Sequence, residues 1–167
     1  LEELYNTRVR HYVVKKHTLL VCEQFEKYAF AFDNKCMNMD LMRLVLAIHD
    51  IGKAIDRSTQ HEHTLSLVRE LWENTPFNKH ELYLVEVLLR DDHLGSYFQN
   101  KYDLSDLKEE IVADATELKM SPSILLQYKM ILYQCDIASY TKDAGGLKYL
   151  EHMFVYENGE KAFDEDN

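Results

Sequence analysis

The stretch from Leu41 to Lys53, L-M-R-L-V-L-A-I-H-D-I-G-K, constrains this chain more than any other. Its first eight residues are apolar on nearly every side except at Arg43, the pattern of a helix buried over most of its surface. The remaining elements must therefore be organised around it. The helix then runs into His49-Asp50, followed at once by Gly52 and Lys53. Successive helical residues point about 100° apart, so these two side chains share no outward face, yet both can reach a centre set beside the helix end. Ionisable groups at the end of so apolar a helix are costly unless something pairs with them. A bound cation is the economical partner.

The rest of the chain also reads as helical. Only five Gly and two Pro occur in 167 residues, which suits long helices better than a many-turned sheet protein. That length fits one domain with a real core. Residues 4–32 read as one long helix in which Val9, Val13, His17, Leu20 and Gln24 form a stripe, placing His17 on the apolar side and His11 at the surface. Taken alone, His17 reads as a core histidine bonded to a carbonyl. The Asn- and Asp-rich segment 33–40 is a connection, and Asn38 or Asp40 can cap the central helix. A loop over 54–60 leads to a helix at 60–73 with His61, Leu65, Val68 and Trp72 on its inner face. His63 lies with Leu67 and Glu70 on a more polar face, so the periodicity favours His61 as the inward residue.

Asn78 is placed to cap a helix over 79–91, with Leu82, Val85, Leu88 and Leu89 inward and Lys79, Glu81 and Arg90 outside. His93 then falls at a helix C-terminus, where the dipole suits an imidazole without any metal. Residues 95–103 form a link containing Tyr97, Phe98 and Tyr102. Ser105 caps a charged helix over 106–119 that turns Leu107, Ile111, Ala115 and Leu118 inward. Pro122 opens another helix at the tolerated first position, with Leu125, Tyr128, Leu132, Asp136 and Ser139 on one face. An aspartate on that stripe is expensive to bury ionised without a partner, whether a basic side chain or a metal. A short amphipathic helix carrying Leu147, Leu150 and Phe154 follows. The domain is expected to span 1–156, with 157–167 an acidic, frayed tail.

The set His17, His49-Asp50, then histidines at 61, 63 and 93, then a late helical Asp136, resembles the HD superfamily of metal-dependent phosphohydrolases, of which HDIGK is a common signature. The resemblance covers roughly residues 10–145. It implies an all-α fold, a compact HD-type bundle of about six or seven helices with the site between them. It also implies a ligand set of His17, His49, Asp50, His61, His93 and Asp136. One ion would take His17, His49, Asp50 and Asp136, and a second His61 and His93 with Asp50 bridging. Imidazole and carboxylate ligands suit divalent Fe, Mn, Zn, Co or Mg. Such ions activate water and clamp phosphate oxygens, so the expected activity is hydrolysis of a nucleotide or other small phosphoester. Asp50 and Lys53 are then the catalytic residues, Lys53 meeting the anionic substrate. The GYP tripeptide of the cyclic-di-nucleotide branch is absent. Two other readings share the ligand set: a mixed-valent di-iron oxygenase and a non-catalytic regulatory module.

Charge narrows the partners. With 29 acidic against 19 basic residues the formal charge is −10, which argues against nucleic acid as a partner. Metal-bound small phosphates remain compatible with it. No stretch approaches a membrane span and no signal peptide is visible. Cys22, Cys36 and Cys135 lie far apart without a CxxC pattern and read as reduced thiols in a cytoplasmic protein. The chain begins at Leu1 rather than Met, which suits a domain cut from a longer protein.

Overall fold

Helix α3, Met39–Ile48, sits in the middle of the core. The computed structural model describes residues 1–9, 12–28, 37–139, 154–157 and 160–163. Asn38 starts α3 by accepting the Leu41 N–H on its side-chain oxygen at 3.0 Å, satisfying a donor that the first turn leaves orphaned. Leu41, Met42, Val45 and Leu46 are then no more than 1% exposed. At roughly 1.5–3 kcal/mol for each large apolar side chain buried, these positions anchor the fold.

Around α3 pack α2 (Val14–Tyr28) and α8 (Pro122–Ser139), which also lie against each other. The layer is completed by α4 (Gln60–Leu71), α5 (Lys79–Leu89) and α7 (Leu104–Leu118). The expected inner residues of α7, Leu107, Ile111, Ala115 and Leu118, are all buried. Asn78 opens α5 through a full capping box: its side chain takes the Glu81 N–H at 2.9 Å, and the Glu81 carboxylate takes the Asn78 N–H at 2.6 Å. The fold is all-α, and among the described residues strands are confined to two short ribbons. Among the described residues, no helix is long and apolar enough to cross a membrane.

Several elements depart from the sequence expectation. The long helix expected over 4–32 is instead a short α1 (Glu2–Tyr5), an antiparallel ribbon of β1 (Arg8–Val9) with β2 (Tyr12–Val13), and only then α2. The break lets α1 fold back so that the Tyr5 hydroxyl donates to the Ala47 carbonyl on α3 at 2.7 Å. The Val and Tyr residues of this segment suit a paired strand as well as a helix stripe, so periodicity alone chose wrongly. His11 lies outside the described residues.

The helix expected to reach residue 91 stops at Leu89, and His93 does not end a helix. It opens α6 (His93–Phe98), which occupies part of the expected link. Asp92 caps α6 by accepting the Gly95 N–H at 3.2 Å. Gly95 is needed there, because a Cβ would lie 2.5 Å from the Asp92 carboxylate. The cap of α7 is Asp103 rather than Ser105, its carboxylate accepting the N–H groups of Ser105 at 2.8 Å and Asp106 at 3.2 Å. Arg90 is not left outside: it is half-buried and donates to both oxygens of buried Asp114 on α7 at 2.6 Å.

At the end of the chain, β3 (Phe154–Glu157) pairs antiparallel with β4 (Glu160–Phe163), where a helix end and a frayed tail were expected. The sequence between the strands is Asn158-Gly159, the strongest short-range hairpin signal, and it outweighs the acidic composition. Leu147 and Leu150, expected on the preceding helix, lie outside the described residues.

Candidate metal centre

The sharp turn after α3 is what brings His49 and Asp50 to one place. His49 caps the C-terminus of α3, and Asp50 begins a 3-10 turn over Ile51–Ala54 that packs on α4. Gly52 makes that packing possible. Its N–H donates to the Thr64 hydroxyl at 3.0 Å, and a Cβ at this position would lie 2.0 Å from the Gln60 carbonyl oxygen. The turn is thereby pressed onto α4. His17 comes from the first turns of α2 and Asp136 from the last turn of α8.

Four donor atoms from these elements, one each from His17, His49, Asp50 and Asp136, lie within 4.8 Å of one another and can hold a metal ion. His17 Nε2 is 3.0 Å from Asp50 Oδ2 and 2.9 Å from Asp136 Oδ1. His49 Nε2 is 3.7 Å from Asp50 Oδ2 and 3.2 Å from Asp136 Oδ1. First-row ligand bonds of about 2.0–2.2 Å place neighbouring ligand atoms about 2.9–3.6 Å apart in octahedral or tetrahedral sites. Three of the four spacings fall in this range and the fourth lies just above it.

The imidazoles are also held in the right tautomer. The Ser139 hydroxyl gives its only proton to the Asp136 carbonyl at 2.6 Å, so it must accept from His17 Nδ1 at 2.9 Å. His49 Nδ1 donates to the Leu46 carbonyl at 2.7 Å. Both rings thus present Nε2 to the carboxylates. Fixing a ligating ring by its second nitrogen is how metal-binding histidines are usually oriented.

The electrostatics follow from burial and this crowding. Burial alone would push the His49 imidazole down, but the Asp50 charge and the Asp136 hydrogen bond overcome it and raise the pKa to about 9. His17 is raised as well, its burial outweighed by hydrogen bonds to Asp136 and Asp50. Burial would raise Asp50, yet His49, His17 and Lys53 hold it well below the usual carboxylate range. Asp136 is lowered because its hydrogen bonds to His17 and His49 outweigh burial. The Cys135 thiol beside it is pushed up to about 12 by burial and by the Asp136 charge, so it offers neither a thiolate ligand nor a nucleophile. Among the described residues, Cys22 and Cys135 are unpaired thiols.

A cavity of about 110 Å³ opens beside the cluster, lined in part by His49, Asp50 and Asp136. Lys53 lines it too, but its ammonium is bonded to Asp50 Oδ2 at 2.7 Å. His61 lines the cavity with Nδ1 donating to the Leu89 carbonyl at 2.9 Å, which leaves Nε2 as its second nitrogen. His63, half-buried on α4, does not line it. His93 lines the cavity as well, but its Nδ1 donates to Glu110 at 2.8 Å and its ring stacks on Tyr102 at 4.2 Å. Together with Asp91 and Glu110 it forms a second His-carboxylate group. Of the six expected ligands, four are gathered into one centre, while His61 and His93 stand around the same cavity outside that group.

Sequence reasoning missed the orienting and lining residues. Glu110 and Leu89 are ordinary helix positions until the histidines they hold are in place. Lys129, buried on α8 and lining the cavity, has no sequence signal beyond its place two turns before Asp136. No protein-family model, curated protein or solved structure matches the chain.

Proposed function

We propose that this chain is an HD-superfamily, metal-dependent phosphohydrolase acting on a nucleotide or other small phosphoester. What supports the reading is one observation: the donors of His17, His49, Asp50 and Asp136 converge, the last three at the wall of a cavity that Lys53 and His61 also line. These four residues would hold the ion. When bound, a divalent metal lowers the pKa of a coordinated water and neutralises phosphate charge.

The protein's own groups serve the rest of the reaction. Asp50, Asp91, Asp92 and Asp136 face the cavity together with Lys53, Lys129 and His49, and a bound divalent ion would take over the positive charge that the His49 proton supplies in its absence. Lys53 holds the Asp50 carboxylate and stands within reach of the same space. His93, held through Nδ1 by Glu110, lines the same cavity and leaves Nε2 as its second nitrogen for a ligand or substrate there. His61, fixed by the Leu89 carbonyl, is available at Nε2 to a second ion, as the resemblance implies, or to the substrate.

The test begins with metal content, measured by mass spectrometry on protein purified without chelator or added metal. A panel of phosphoesters, including nucleoside monophosphates and a chromogenic diester, is then assayed with Mn, Fe or Co. Bound metal together with hydrolysis of at least one substrate is the expected result. Metal-loaded protein that hydrolyses nothing would overturn the proposal, and two irons with oxygen uptake would replace it with the di-iron oxygenase reading.

A further inference from the structure

Lys129 stands two helical turns before Asp136 on α8 and therefore on the same side of that helix. It is 8% exposed and lines the cavity beside the candidate metal centre. The cavity's other ammonium, on Lys53, is held by Asp50, and the nearby guanidinium of Arg90 is held by Asp114. For Lys129 no hydrogen bond or ion pair is formed with any described residue. The Lys129 side chain is thus largely buried, while its ammonium is left without a direct partner at the cavity. Its neighbours along the helix, Tyr128, Met130 and Ile131, are those of a core segment.

We propose that Lys129 is a substrate-binding residue that takes the terminal phosphoryl group of a phosphomonoester in this cavity, together with the bound metal. The inference rests on the phosphohydrolase reading and names its substrate class. An entering phosphate would give the Lys129 ammonium the direct partner it lacks among the described residues. Size limits what enters. A cavity of about 110 Å³ is several times the roughly 10–15 Å³ that a single water needs. That is room for a phosphoryl group, well short of the roughly 300–1,000 Å³ of pockets that enclose a whole small ligand. The organic part of the substrate therefore remains at the mouth. A monoester dianion also answers both the metal and the ammonium, whereas a diester carries a single charge and needs room on both sides of its phosphorus.

The experiment uses the full chain loaded with Zn2+ and reads the binding of inorganic phosphate by calorimetry. Lys129→Met replaces the ammonium by an apolar side chain of similar length, and it should keep its zinc. Its phosphate affinity should fall on the order of 10- to 100-fold, as loss of a charge-assisted hydrogen bond implies. Lys129→Arg should restore most of the binding. In the wild-type chain the Lys129 Cε resonance, identified by its absence from Lys129→Arg, should shift on phosphate addition, a readout that survives even if Lys129→Met fails to fold. A nucleoside monophosphate should compete with phosphate, and dimethyl phosphate should not.

The failures are distinguishable. Wild-type affinity in Lys129→Met, or a resonance that ignores phosphate, overturns the role of Lys129 and leaves the phosphohydrolase reading standing. A zinc-loaded wild type that binds no phosphate overturns both. Loss of zinc in Lys129→Met would make the residue structural, and equal competition by dimethyl phosphate would overturn the monoester assignment.

Discussion

Raising the pH from 6.5 to 8.5, with and without Mn2+, perturbs the candidate metal centre without changing a single residue. The His49 imidazole is held at a pKa of about 9, above its ordinary 6.5, because the Asp50 charge and the Asp136 hydrogen bond outweigh burial. A group whose pKa is raised on folding stabilises the folded state fully below its unfolded pKa. That contribution is lost as the pH rises through the folded value. For a shift of this size the loss between pH 6.5 and 8.5 is about 2 kcal/mol. The side chain is 5% exposed, so solvent screening does little to reduce it. His17 shifts in the same direction and adds to the effect. The Cys22 and Cys135 thiols, both pushed up by burial, ionise more readily in the unfolded chain as the pH approaches 8.5 and add a smaller loss in the same direction.

A metal ion needs Nε2 of His49 without its proton. At pH 7 the ion must displace a proton held with a pKa of about 9, so its apparent affinity should be about 100-fold below the value reached once His49 is neutral. Thermal unfolding of the metal-free protein should therefore shift down by roughly 4–8 °C across the interval, and saturating Mn2+ should abolish that fall. Calorimetry in two buffers of different ionisation enthalpy should record about one proton or more released per ion at pH 7. Metal-free stability that stays flat or rises, or an affinity that ignores pH with no proton released, would refute the assignment of shared protons to this cluster.

Two substitutions probe the frame around the centre. Gly52→Ala places a Cβ 2.0 Å from the Gln60 carbonyl oxygen and displaces the 3.0 Å Gly52–Thr64 hydrogen bond. Overpacking and the lost bond together should cost about 2–4 kcal/mol in urea unfolding. Metal affinity should weaken alongside, because the same turn carries Asp50; an unchanged midpoint would mean the turn is not pinned against α4. His61→Ala, which removes a cavity-lining imidazole, should lower turnover on any phosphoester that the wild type hydrolyses by about tenfold or more. His63→Ala should leave turnover unchanged, and the reverse pattern would transfer the role to His63.

Local chemistry made much of this protein readable from its sequence. The apolar run of α3, the Asn38 and Asn78 caps and the inner face of α7 depend on residues within a few positions of one another. The amino-acid order alone therefore determines them. His49, Asp50 and Asp136 were legible for a different reason, since ionisable groups at the end or on the stripe of an apolar helix demand a partner, whereas His17, alone a core histidine, joined the set only through the resemblance. Departures arose wherever a distant contact outweighed a local preference. Nothing near Tyr5 announces that its hydroxyl will reach Ala47, the contact that accompanies the break between α1 and α2.

Periodicity likewise leaves Arg90 facing solvent, and only the packing of α5 on α7 brings its half-buried guanidinium onto buried Asp114. The same holds inside the site. His17 and Ser139 are 122 residues apart, and the proton arrangement that aims His17 Nε2 at two carboxylates exists only once α2 lies against α8. Glu110 becomes the partner of His93 through the docking of α6 on α7. Lys129 reads as an ordinary helical lysine until the surrounding helices close over it and leave its ammonium beside the cavity. Sequence specifies which residues carry charge and how each helix begins. Which charges meet, and which are left to meet a ligand, depends on distances between elements that no local rule encodes.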